Sequence, residues 1–204
     1  MNKKGLLLVI SGPSGVGKGT VLAEYRKNAK NLHMSVSATT RKPRPGEENG
    51  KHYYFVSKEE FQKAVDADEM LEFAEYSGNY YGTPKKAVFE QLEQGYDVAL
   101  EIELQGAMKV KQKYPDSVMI FILPPSYQVL RDRLVGRQTE SQEDIAKRLD
   151  TAKRELLSAQ YYDYVIVNDE VEKAAEKLNS VIEAARCLTK LNDDLLKNIG
   201  KSVN

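Results

Sequence analysis

The sequence has a single cysteine, Cys187, in 204 residues, so no intramolecular disulfide can form. That agrees with a reducing compartment such as the cytoplasm, and Cys187 itself reads as a small apolar side chain packed in the interior. Net charge is equally lacking. Thirty basic side chains stand against 30 acidic ones, which leaves no overall field to draw nucleic acid or an anionic membrane surface. Any anion site must therefore be local. Long hydrophobic runs are missing too. The one stretch that imitates a secretory leader, Lys3-Lys4 followed by residues 5–10, is too short for a signal core, and no segment is long enough to span a bilayer. Secretion and membrane residence are not expected, and no internal repeat or low-complexity tract points to a solenoid or a disordered chain.

What the sequence does have is 204 residues, 41% of them hydrophobic and 29% charged: a length sufficient for one compact core with small insertions and too short for two large domains. Apolar runs rich in branched residues at 6–10, 98–102, 118–123 and 164–167 predict fully buried strands, which suits a parallel sheet. Helical patterns at 17–27, 85–93, 127–134, 142–157 and 171–191 alternate with them, giving an open α/β fold with right-handed crossovers. In the segment 142–157, Ile145, Leu149, Ala152 and Leu156 fall on one stripe, and Ser141 with Asp144 resembles a capping box at its start. The stretch 35–73 breaks the alternation: residues 41–50 are turn chemistry and 52–56 reads as a short strand, so this part predicts an inserted subdomain. The polar link 136–141 suits a mobile lid. The polar tail 192–204 is expected to fray.

The most informative stretch is Gly12-Pro13-Ser14-Gly15-Val16-Gly17-Lys18-Gly19-Thr20. It follows a predicted buried strand and opens a predicted helix, the context in which a glycine-rich loop cradles phosphates. Glycines let successive backbone N–H groups turn toward the anion at the helix N-terminus, and Lys18 adds positive charge on the β and γ groups. An ordinary strand-to-helix turn needs one glycine, not three with a lysine directly after. The usual magnesium-binding hydroxyl after the lysine is absent, because that position is Gly19. Thr20 is one residue further on, about 100° around the helix, so phosphate oxygens and water are expected to hold most of the metal.

Glu101 and Glu103 lie two apart at the end of a predicted strand, which projects both to one side near the carboxyl edge of the sheet, where α/β proteins bind ligands. They suit a metal-water or substrate role, and Gln105-Gly106 after them reads as a tight turn. Arg41, Arg44, Arg131, Arg133, Arg137 and Arg148 supply planar guanidinium forks for phosphate oxygens. Arg131 and Arg133 point to different helix faces, so they are not both expected to act.

Four ordered motifs accompany the loop: Ser35-Val-Ser-Ala-Thr-Thr-Arg-Lys-Pro-Arg-Pro-Gly-Glu47, Asn49-Gly-Lys-His-Tyr-Tyr-Phe55, Ser77-Gly-Asn-Tyr-Tyr-Gly-Thr83 and Val165-Ile-Val-Asn168. With the loop, over residues 6 to about 183, the chain resembles the guanylate kinases. The resemblance implies a three-layer P-loop α/β fold with a central, mainly parallel sheet. Its core would be residues 1–34, 85–130 and 158–191, its insertion for the nucleoside monophosphate 35–84, and its small lid 131–157. It implies transfer of the γ-phosphoryl of ATP to GMP with Mg²⁺, and ATP and GMP as partners; by charge and hydropathy no nucleic acid or membrane is expected, and monomer and homodimer both stay open.

The acceptor pattern of that family falls on Ser37, Arg41, Arg44, Tyr53, Glu72, Tyr81 and Thr83, with Glu101 added at the strand end. Arg41, Arg44, Tyr53 and Tyr81 would hold the GMP phosphate. Glu72 would accept from N1–H and the 2-amino group of guanine, and Ser37 and Thr83 would bond the base edge. Adenine lacks both donors, so Glu72 would select against it. Lys18, Arg41, Arg137 and Arg148 would act on the transferring group. Asn168 would lie by the adenine of ATP, a simple turn residue being its alternative reading. Thr20 and Glu103 are the side chains left as secondary metal candidates. One departure is plain: the family's Asp-Ile-Asp is Glu101-Ile-Glu103 here. Another nucleoside monophosphate kinase is the nearest alternative, since Gly-Lys-Gly-Thr also ends the loop of adenylate kinases. A non-catalytic scaffold module predicts an eroded loop, and Lys18 is intact.

Overall fold

The computed structural model describes residues 4–29, 31–76, 78–135 and 142–201. Along the chain, β1 (Leu7–Ser11), α1 (Lys18–Arg26), β2 (Leu32–Met34), β3 (Ala38–Thr39), β4 (Tyr54–Phe55), α2 (Lys58–Asp66), β5 (Met70–Tyr76), β6 (Asn79–Pro84) and α3 (Lys85–Glu93) form the first half. They are followed by β7 (Asp97–Glu101), α4 (Leu104–Lys113), β8 (Val118–Leu123), α5 (Tyr127–Val135), α6 (Gln142–Leu157), β9 (Tyr164–Val167), α7 (Val171–Arg186) and α8 (Asp193–Lys201). The class is α/β with a mainly parallel central sheet. Two compact units emerge, Met1–Ser11 with Asn31–Met119 and Gly12–Lys30 with Ile120–Asn204.

In the first unit β7 pairs in parallel with β1 on one side and β2 on the other. Leu8, Val9, Ile10, Ala99 and Leu100 have no solvent exposure, as continuous apolar runs in a parallel sheet require. Val88 and Leu92 of α3 and Ala107 and Val110 of α4 are buried with them. The buried Leu6 N–H finds its acceptor in Asp97 Oδ1 at 2.8 Å. A second sheet, ordered β4-β3-β6-β5, has its own small core of Ala38, Phe61 and Met70. Phe61 stacks on Tyr80 at 5.6 Å and meets Phe73 edge-on at 6.4 Å. α2 is started by a capping box: Ser57 Oγ accepts from the Glu60 N–H, and the Glu60 carboxylate from the Ser57 N–H.

In the second unit β8 and β9 run parallel. α1 packs on α7. Val21 and Leu22 of α1 are buried, as is the stripe Ala174, Ala175, Leu178, Ile182 and Ala185 of α7, spaced as one helix face demands.

Several expectations change. β9 is not a fully buried strand: Ile166 is 1% exposed, but Val165 and Val167, on its other face, are 48% and 38% exposed. α7 stops at Arg186, with a separate turn of 3₁₀ helix over Thr189–Leu191. Cys187 is exposed rather than packed, because it lies two residues, about 200°, around the helix from buried Ala185. The tail does not fray from residue 192, since Asp193–Lys201 is helical. Glu103 is not on the strand: β7 ends at Glu101, and Glu103 is the N-cap of α4. Gln105 and Gly106 are helical residues of α4, not a turn. The expected cap at Ser141 and the link 136–141 lie outside the described residues.

Candidate active site: a phosphate loop and a buried carboxylate

The loop after β1 is held open by its own backbone. Gly12, Gly15 and Gly17 all take positive φ, of 152°, 82° and 91°. Gly17 is the N-cap of α1 in the left-handed region, and a Cβ there would stand 2.6 Å from Asn168 Nδ2. Only glycine meets both demands at low cost. The N-cap Gly17 has no side chain with which to cap α1, and a helix start of this kind carries unsatisfied N–H groups at the positive end of the helix dipole. Lys18 Nζ donates to Gly12 O at 2.7 Å and to Pro13 O at 3.4 Å, which folds the ammonium back over the loop.

Three further residues of this unit converge on the loop. Asn168 Nδ2 donates to Val16 O at 2.7 Å. Asn168 is 2% exposed, and among the described residues its buried Oδ1 has no partner. Arg133 donates to Val16 O at 3.3 Å and to Asn168 O at 3.2 Å, bracing the loop rather than facing solvent, while Arg131 is exposed. Arg148 donates to Ser14 Oγ at 3.1 Å. Arg137 lies outside the described residues.

Glu155 was not anticipated. Its Oε2 accepts from the Ser14 N–H at 3.3 Å, so a carboxylate occupies an N–H that such loops offer to phosphate. Burial raises its carboxyl above the ordinary range, while the Ser14 bond and the charge of Lys18 oppose the shift. The usable signal was spacing: Glu155 is seven residues after Arg148, which puts both on one face of α6.

The first unit carries the other half of the expected residues. Glu72 on β5 pairs in register with Thr83 on β6 and is 5% exposed. Thr83 Oγ1 donates to Glu72 Oε1 at 2.7 Å. Burial pushes the Glu72 carboxyl up, and the Thr83 bond and the nearby Lys109 ammonium pull against it. Lys109 of α4 is anchored by donation to Phe73 O at 2.6 Å. An ionised carboxylate can accept several hydrogen bonds, so Glu72 has acceptor capacity beyond its bonds from Thr83.

Tyr81 lies two residues before Thr83, hence on the same face of β6. Its ring is 6.0 Å from that of Tyr53. The Arg41 guanidinium lies 5.5 Å from the Tyr53 ring and grips Glu47 with two bonds, of 3.0 and 2.8 Å. Arg44 adds its backbone N–H to Glu47 Oε2 at 2.7 Å. The Arg41 guanidinium and then the Arg44 N–H pull the Glu47 carboxyl down to about 2. Burial raises the Tyr53 hydroxyl's pKa, with smaller contributions from Tyr81 and from Glu101 at the exposed end of β7. Ser37 is half-buried beside β3 and accepts the Tyr54 N–H through its carbonyl. Arg41, Arg44, Tyr53, Tyr81, Glu72 and Thr83 thus belong to one unit, with Arg44 the exposed member of the group.

For a metal, the loop's own donors are sparse. Gly19 brings no side chain, Thr20 is an exposed residue, and no group of three or more His, Cys, Asp or Glu suited to a metal occurs among the described residues. Among them, too, no helix is long and apolar enough to cross a membrane.

Comparison with known proteins bears on this arrangement directly. The guanylate kinase family model matches residues 4–185. The guanylate kinase of Caldanaerobacter subterraneus subsp. tengcongensis is 50% identical over 98% of this chain and 97% of that protein. Those of Desulfitobacterium hafniense and Lactococcus lactis subsp. lactis are 54% and 55% identical, covering 91% and 90% of this chain and 93% and 90% of theirs. The crystal structure of guanylate kinase from Anaplasma phagocytophilum superposes with a TM-score of 0.76 at 37% identity, over 92% of this chain and 89% of that one. With the glycine loop, its lysine and the buried Glu72–Thr83 pair in place, these relationships settle the class: the chain belongs to the guanylate kinase family of nucleotide-binding phosphotransferases.

Proposed function

We propose that the enzyme transfers the γ-phosphoryl group of ATP to GMP, giving ADP and GDP, in the recycling of purine nucleotides. The observation that carries this reading is Glu72, a carboxylate 5% exposed and oriented by Thr83. Guanine presents N1–H and a 2-amino group, two adjacent donors that match two carboxylate oxygens. Adenine presents neither and would leave the buried carboxylate unpaired, at a cost of about 1–3 kcal/mol or more. Arg41 and Arg44, with the Tyr53 and Tyr81 hydroxyls, hold the GMP phosphate, Ser37 and Thr83 meet the base edge, and Glu101 lies at the rim of the same group.

On the donor side, the N–H groups of residues 12–20 and Lys18 take the ATP phosphates, Arg148 and Arg137 approach the transferring group, and Asn168 meets the adenine. No general base is needed, because the GMP phosphate oxygen is already an anionic nucleophile. The protein's work is alignment and charge neutralisation. Mg²⁺ fits as a companion of ATP, held by phosphate oxygens and water with Thr20 or Glu103 as the side chains in question. When bound it neutralises charge on the β and γ groups. In this proposal a core of 1–34, 85–130 and 158–191 carries a GMP-binding insertion, 35–84, and a lid, 131–157, which close over the nucleotides in the cytoplasm.

The test is ADP formation from ATP and Mg²⁺ with GMP, AMP, UMP and CMP as separate acceptors. Turnover is expected with GMP and is abolished in Lys18→Ala. Turnover with AMP alone would overturn the acceptor assignment.

A further inference from the structure

Helix α4 holds a glycine that its own backbone does not require. Gly106 is the third residue of α4 and does not have positive φ, so alanine could adopt the same conformation. A glycine inside a helix lowers its stability relative to alanine. The reason for it lies across the gap to β5, on which α4 packs. A Cβ on Gly106 would stand 2.4 Å from Glu72 Oε2 and 3.1 Å from Glu72 Cδ, with Ile102 Cδ1 next at 3.6 Å. The one impossible contact and the tight one beside it are both with the carboxylate of one side chain.

That carboxylate has little room to yield. Glu72 is 5% exposed, and its other oxygen is tied to Thr83 Oγ1 at 2.7 Å, with Thr83 itself fully buried. A methyl group on residue 106 would swing Oε2 away while the Thr83 bond holds Oε1. We infer that Gly106 is a specificity-determining positioning residue: its missing side chain leaves the space in which Glu72 Oε2 stands, so α4 aims the carboxylate that reads the acceptor base. The inference rests on the reading of Glu72 as the guanine-recognising group.

The experiment compares the wild type, Gly106→Ala, Glu72→Ala and the double variant. It measures kcat and KM for GMP, KM for ATP, and thermal unfolding. Displacing one oxygen of a charged acceptor from its donor should raise the KM for GMP on the order of 10-fold to 100-fold in Gly106→Ala. The KM for ATP should stay at the wild-type value and the unfolding temperature should hold or rise. In the Glu72→Ala background the same substitution should change KM by less than about twofold, because it acts only through Glu72.

If Glu72→Ala itself keeps the wild-type KM for GMP, the guanine-recognition reading fails and this inference with it. If Glu72→Ala loses GMP affinity while Gly106→Ala does not, the inference alone is overturned. It is overturned equally by a Gly106→Ala effect of the same size in both backgrounds, or by a Gly106→Ala protein that no longer unfolds cooperatively, since either result would make the glycine a requirement of the fold.

Discussion

Arg41 illustrates how a single residue can be held ready by its neighbours. Glu47 accepts from both arms of its fork, and the Tyr53 and Phe55 rings lie 5.5 and 5.8 Å from the guanidinium. A fork already fixed in its plane loses less side-chain freedom on meeting a phosphate. The same contact leaves a titration signature. The Glu47 carboxyl falls from 4.5 to about 2, so its contribution to folding is present above 4.5 and is lost as the pH drops toward 2. An NMR titration of the Glu47 side-chain carboxyl carbon should show a midpoint near 2. A midpoint near the ordinary 4.5 would mean that the pair does not persist in solution.

At the scale of elements, α7 shows packing deciding where a helix lies. Leu178 has no exposure and sits among Ala174, Ala175, Ile182 and Ala185 on the face turned to α1. Leu178→Ala should lower the urea-unfolding free energy by about 2–5 kcal/mol through lost transfer energy and the cavity left behind. A loss under about 1 kcal/mol would show that the α1 and α7 faces repack around the gap. The segments 85–93, 118–123, 142–157 and 164–167 were legible from periodicity to the residue. Others were not, for identifiable reasons. Met70–Tyr76 puts Glu72 in the middle of a strand, a placement that burial by partners supplies and local propensity opposes. The start of Leu104–Lys113 escapes because Gln105-Gly106 reads as a tight turn, and the glycine makes sense only once Glu72 is across from it. The same holds for the site. The loop around Lys18 is local chemistry and shows in the sequence, whereas Glu155 beside Ser14 and Arg133 beside Val16 are contacts over 141 and 117 residues, which no local pattern records.

At the scale of the whole chain, the residues assigned to ATP fall in the unit of Gly12–Lys30 and Ile120–Asn204, and those assigned to GMP in the unit of Met1–Ser11 and Asn31–Met119. In the proposed reaction, closure of the insertion and lid keeps water from competing for the γ-phosphoryl group. Solution X-ray scattering should then show a smaller radius of gyration when a non-hydrolysable ATP analogue and GMP are added together than without them. An unchanged radius would count against closure. The exposed Cys187 adds a separate consequence. As the only thiol in the sequence, and outward-facing at the end of α7, it can be cross-linked by oxidation only to another molecule. It is also the one address at which a maleimide dye will attach, so an unmutated protein can be labelled at a single known point.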